Sequence, residues 1–90
     1  MTDGQKIDRL ETKLRAVLTL SKNLRQMTDK TNTQMLDLIQ NQETDIYIEY
    51  FTAVMPLVGN TEAGRIYEKV VSQLNDEYGT YRPMIGYIRS

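Results

Sequence analysis

Apolar residues recur between Ile7 and Gln42 with a three-then-four spacing. With Ile7 at heptad position a, the a positions read Ile7, Leu14, Ser21, Thr28, Met35 and Gln42. The d positions read Leu10, Val17, Leu24, Thr31, Leu38 and Asp45. Seven of these twelve are apolar, and the phase is kept across the polar middle. A seven-residue repeat held over this length predicts helices wound around one another. The expected seam is Ile7, Leu10, Leu14, Val17, Leu24, Met35 and Leu38. Leu18, Leu20 and Met27 widen the face beyond a bare a/d stripe, which points to more than two helices or a second element packed alongside.

Thr2 or Asp3 is placed to cap the first helix, and Gln5 to Met27 is rich in helix formers with no proline or internal glycine. Thr28 to Thr33 favours caps and turns, because its side chains compete for backbone hydrogen bonds. Thr31-x-x-Gln34 also fits a capping box. The segment is either the bend of a helical hairpin or a polar layer inside one helix. The kept phase and the lack of glycine or proline favour the unbroken helix, about 55 Å long at 1.5 Å per residue. Around Gln40 to Asp45 the seam dissolves, and Thr44 or Asp45 is expected to cap a new helix from Ile46 to about Val58. Pro56 should kink or end that helix. Gly59-Asn60-Thr61 is a joint, followed by a helix over 62–78 that Gly79 closes. The last eleven residues carry Tyr81, Pro83, Met84, Ile85, Tyr87 and Ile88, too apolar to float free. The expected fold is all-α: a long heptad-bearing N-terminal helix (coiled coil), then a C-terminal helical hairpin and an aromatic tail. Its two parts are residues 1–42 and 43–90.

Charge and composition narrow the function. The net charge of −1 divides into +2 over residues 1–41, −5 over 42–78 and +2 over the last twelve residues. There is no histidine, cysteine or tryptophan. The usual general base, the commonest metal ligand and the thiol nucleophile are therefore missing, and no catalytic residue, metal site or cofactor is expected. Asp45 and Glu49 lie four apart on a helix, an arrangement usual for a solvated surface. The joint at residues 59–61 superficially suits a helix-turn-helix, but the helix after it carries Arg65 and Lys69 against Glu62, Glu68, Asp76 and Glu77. Phosphates would repel it, so no nucleic acid is expected. No signal peptide and no 18-residue apolar run is present, so no membrane partner and a cytoplasmic location are expected. All seven aromatic residues follow residue 46. They form either the core of the C-terminal hairpin or an interface, with Tyr81, Arg82 and Tyr87 the candidate partner-binding residues.

The layout of a heptad-rich helix, then Ala53-Val54, Gly59-Asn60-Thr61 and Val70-Val71-Ser72-Gln73-Leu74, resembles the tail-fibre assembly chaperone of T4-like phages. The resemblance covers about half the chain. The aromatic segment 46–51 and the tyrosine-bearing tail depart from it, and no functional residue carries over. It implies a helical oligomer that helps fibrous chains assemble. The expectation is thus a non-enzymatic homo-oligomer, trimer or dimer, acting on an unidentified protein partner as an assembly factor or scaffold. The alternative is a small helical phage or plasmid protein that binds and inhibits one host protein.

Overall fold

The computed structural model describes residues 2–75 and 81–85. It is all-helical among them, with α1 over Asp3–Met27, α2 over Thr33–Val58 and α3 over Asn60–Leu74. Thr2 caps α1 through a full capping box with Gln5, and Asp3 adds an acidic group to the first turn.

The unbroken 7–42 helix is not what the chain forms. Asp29 Oδ1 accepts both the Thr31 N–H and the Thr31 hydroxyl, at 2.9 Å each. Asn32 then caps α2 by accepting the Met35 N–H at 3.2 Å. Local side-chain bonds win over continuation of the helix because the Thr31 and Met35 amides find side-chain acceptors in place of helical carbonyls. Thr31 spends its hydroxyl on Asp29, so the cap falls one residue later than the Thr31–Gln34 box. The heptad register on either side of this turn belongs to two helices rather than one.

Those helices lie antiparallel. Lys13 meets Glu49 at 2.6 Å, Ser21 donates to Gln42 at 3.2 Å, and Arg25 meets Glu43. Ser21 and Gln42, expected as polar layers of a seam between chains, thus face each other within one chain. The break expected at Gln40 to Asp45 is absent, and α2 runs across the boundary placed at residue 42. Thr44 sits mid-helix with its hydroxyl donating to the Gln40 carbonyl at 2.8 Å. Glu43, within the segment read as a helix break, is fully buried.

Pro56 lies in the last turn of α2, which stops two residues later. Gly59 alone joins α2 to α3, at φ 88° and ψ 166°. That region is open essentially to glycine only. It turns the chain so that α3 runs beside α1 in the same direction. Arg15 donates to Gln73 at 2.5 Å, Lys69 lies 3.6 Å from Glu11, and Lys22 donates to the Leu74 carbonyl at 2.5 Å. The last contact places a cation on the negative end of α3. Helix α3 ends at Leu74 rather than at residue 78, and the expected closure at Gly79 lies outside the described residues.

One core draws on all three helices: Leu14 and Leu18 from α1, Ile46, Tyr50 and Val54 from α2, and Ala63, Ile66, Tyr67, Val70 and Val71 from α3. Burying an aliphatic side chain of this kind contributes about 1.5–3 kcal/mol. Ile7, Leu10 and Val17 pack against the rim of this core. Replacing Gly59 with alanine meets no neighbouring atom, so its cost is backbone strain alone. Gly59→Ala should lower unfolding stability by about 1–3 kcal/mol with the fold retained, as read by urea titration.

Candidate functional site

Two features stand apart from routine helix packing. The first is the Glu43 carboxylate. It is buried on α2 and accepts hydrogen bonds at both oxygens. Arg25 Nη2 donates to Oε1 at 2.5 Å and Arg25 Nε to Oε2 at 3.1 Å, a two-pronged guanidinium contact from α1. The Tyr81 hydroxyl also donates to Oε2, and the Met84 N–H donates to Oε1 at 3.2 Å. The acid anchors α1 and the segment after α3 at one point. The Glu43 carboxylate raises the Arg25 pKa, and burial, then the bond to Glu43, raises that of Tyr81.

The second is a groove of about 530 Å³ between α1 and α2. Val17 and Leu24 line it from α1, and Met35, Leu38, Ile39 and Ile46 from α2. Lys13, Asn41, Asp45 and Glu49 form its polar edges. Leu38 is 61% exposed and Met35 37%. At 100° per residue, Leu20 and Met27 fall on the same side of α1, and both are exposed, Met27 the more so at 83%. The apolar face opened by the hairpin thus continues past the groove itself.

The surplus has a simple source. From Ile46 to Val58, only Glu49 and Thr52 are polar. A helix apolar all round needs cover all round, and α2 has two neighbours. Tyr47, Ile48, Phe51, Met55 and Pro56 line a further shallow depression of about 410 Å³ on its outer side, with Ile48 and Met55 each 40% exposed.

The structure divides the expected seam. Leu14 is wholly buried inside the monomer, and Ile7 and Leu10 are half-buried beside the core. Val17, Leu24, Met35 and Leu38 gather in the groove, although they come from both sides of a turn. Among the expected partner-binding residues, Tyr81 is half-buried with its hydroxyl on Glu43. Arg82 is exposed and pairs with Glu68 at 3.3 Å, and Tyr87 lies outside the described residues. Tyr47, Tyr50, Phe51 and Tyr67 form one aromatic cluster between α2 and α3. Tyr47 meets Tyr67 edge-on at 5.3 Å, and Tyr50 meets Phe51 edge-on at 5.0 Å. The Tyr50 hydroxyl donates to the Ala63 carbonyl at 2.8 Å. Of these four, Tyr50 and Tyr67 are buried in the core, and Tyr47 and Phe51 are half-buried against it.

No protein-family model, curated protein or solved structure matches the chain. What the site does must be argued from its own atoms. Among the described residues no group of three or more acidic residues is placed to hold a metal ion, and no helix is long and apolar enough to cross a membrane.

Sequence reasoning missed Glu43, which fell in the segment read as a helix break. Its signal was a lone acid between apolar Ile39, Ile46 and Tyr50, all on one helical face.

Arg25→Met strands a buried carboxylate and should cost about 3–5 kcal/mol by urea unfolding. Arg25→Met with Glu43→Leu should recover most of that loss. Burial pushes the Tyr50 pKa up to about 12 and raises those of Tyr67 and Tyr81 as well. The unfolded value is about 10, so the stability from protonated Tyr50 is complete below pH 10 and fades as the pH rises toward 12. In an absorbance titration at alkaline pH, these three tyrosines should ionise only together with loss of helical circular dichroism.

Proposed function

We propose that the chain is a non-enzymatic interaction module whose working surface is the α1–α2 groove. The observation that carries this reading is the continuous apolar face of Val17, Leu24, Met35 and Leu38, left uncovered among the described residues. A contiguous exposed patch of this kind marks a protein contact. An amphipathic helix suits a groove between two helices, with apolar side chains at i, i+3, i+4 and i+7 reaching the floor. The role is that of an assembly factor or scaffold in the cytoplasm, as the resemblance to the phage tail-fibre chaperones implies. The groove, not a 7–42 coiled coil, supplies association, and the Tyr81 segment supports the fold rather than capturing a partner. Inhibition of a single host protein through the same groove is the second reading. The outer depression at Ile48 and Met55 favours it, since a second apolar surface suits a one-to-one complex that wraps α2.

A photo-crosslinking residue at position 38 tests the site in living source cells. The expected outcome is a covalent protein adduct from position 38 and none from Thr12 on the exposed side of α1. A folded protein that gives no adduct from position 38 overturns the reading.

A further inference from the structure

We infer that the occupant of the α1–α2 groove is the same groove of a second copy, the two hairpins forming a four-helix layer with α3 outside. This rests on the reading of the groove as a protein interface and adds the identity of what fills it.

The argument is one of charge and register. Helix α1 carries six basic and three acidic residues, a balance of +3. Helix α2 carries Asp37, Glu43, Asp45 and Glu49 and no basic residue, a balance of −4. The two lips of the groove therefore have opposite sign, with Lys13 on α1 and Asp45 and Glu49 on α2. A surface with one basic and one acidic lip is complementary to a copy of itself turned half a revolution.

Two such rotations bring the faces together, and they are not equivalent. A two-fold axis across the helices lays α1 on the second α1. That sets the basic end around Lys13 over the apolar end at Leu20, Leu24 and Met27. A two-fold axis along the helices lays each α1 on the other copy's α2, antiparallel and at unchanged height. Lys13 and Glu49 share one height, because they touch at 2.6 Å within the chain. Asp45 lies one helical turn away, roughly 6 Å along the axis. Lys13 of each copy then falls between Glu49 and Asp45 of the other. By the same antiparallel register, Leu24 falls on Leu38 and Met27 on Met35. Opposite charges meet at the Lys13 end and apolar side chains meet at the Leu24 and Met27 end, with Val17 and Leu20 facing Asp45 and Gln42 between them, whereas the first axis sets Lys13 over the apolar end. Antiparallel neighbours in a four-helix arrangement pack in this way.

The test uses the purified full chain in light scattering with size-exclusion chromatography and sedimentation equilibrium. The expected mass is twice 10.5 kDa, falling to one chain with Leu38→Asp, a substitution at an exposed position. Lys13→Glu and Asp45→Lys should each weaken self-association about tenfold at low salt, since each sets like charges together twice. Mixed one to one, the two variants should recover dimerisation as a heterodimer, because positions 13 and 45 then face each other with opposite charge at both contacts. Circular dichroism confirms folding, which rests little on the exposed Lys13–Glu49 pair. A mass of one chain at every concentration overturns the proposal. So does a dimer indifferent to both charge reversals, or a mixture that fails to recover. A chain that is monomeric yet crosslinks from position 38 to a foreign protein in cells removes the two-fold dimer and leaves the groove reading standing. A purified dimer that Leu38→Asp leaves intact, with no crosslink from position 38, removes both.

Discussion

The fold turns on a buried negative charge. A carboxylate taken out of water is tolerated only if its oxygens find donors that replace hydration. Glu43 meets that demand with a guanidinium from α1, a phenol and a backbone amide from the segment after α3. No two of those donors come from the same stretch of chain, apart from Tyr81 and Met84. The need to satisfy one acid therefore fixes where α1 lies on α2 and where the C-terminal segment crosses. Apolar burial supplies the bulk of the stabilisation but is non-directional, and the Arg25 fork supplies geometry.

With that point fixed, the core fills on one side of the hairpin only. Helix α3 covers the face of Leu14, Leu18, Tyr50 and Val54, steered there by Gly59 and by the ties from Arg15, Lys22 and Glu11 to its far end. The opposite face of the hairpin carries Val17, Leu24, Met35 and Leu38, and none of the described residues lies upon it. A three-helix arrangement built around so apolar a middle helix leaves apolar surface to spare, and that surplus is the surface proposed as the interface.

Much of this was legible from residue pattern. The all-helical fold, the cap at Thr2 (offered beside Asp3) and the joint at Gly59 follow from local rules, and the structure bears them out. The turn at 28–32 was visible as an alternative but outweighed by the heptad phase. That phase misled for a physical reason: Ser21 and Gln42 keep their spacing as partners across a hairpin as readily as layers of one rod. Glu43 was illegible because its worth depends on Arg25 and Tyr81, residues distant in sequence that no window can bring together. The groove was half legible. Val17, Leu24, Met35 and Leu38 were marked as an association seam, but their meeting from two helices required the turn to be known.

The reach of the Glu43 contacts also sets an order in time. A ribosome makes Arg25 and Glu43 well before Tyr81 and Met84, so the growing chain holds an acid whose final donors do not yet exist. Until they emerge, two of the four hydrogen bonds to that carboxylate lack their protein donors. Synthesis of residues 81–84 thus completes the donor set of Glu43, and damage to that segment is felt at the buried centre of the helical hairpin.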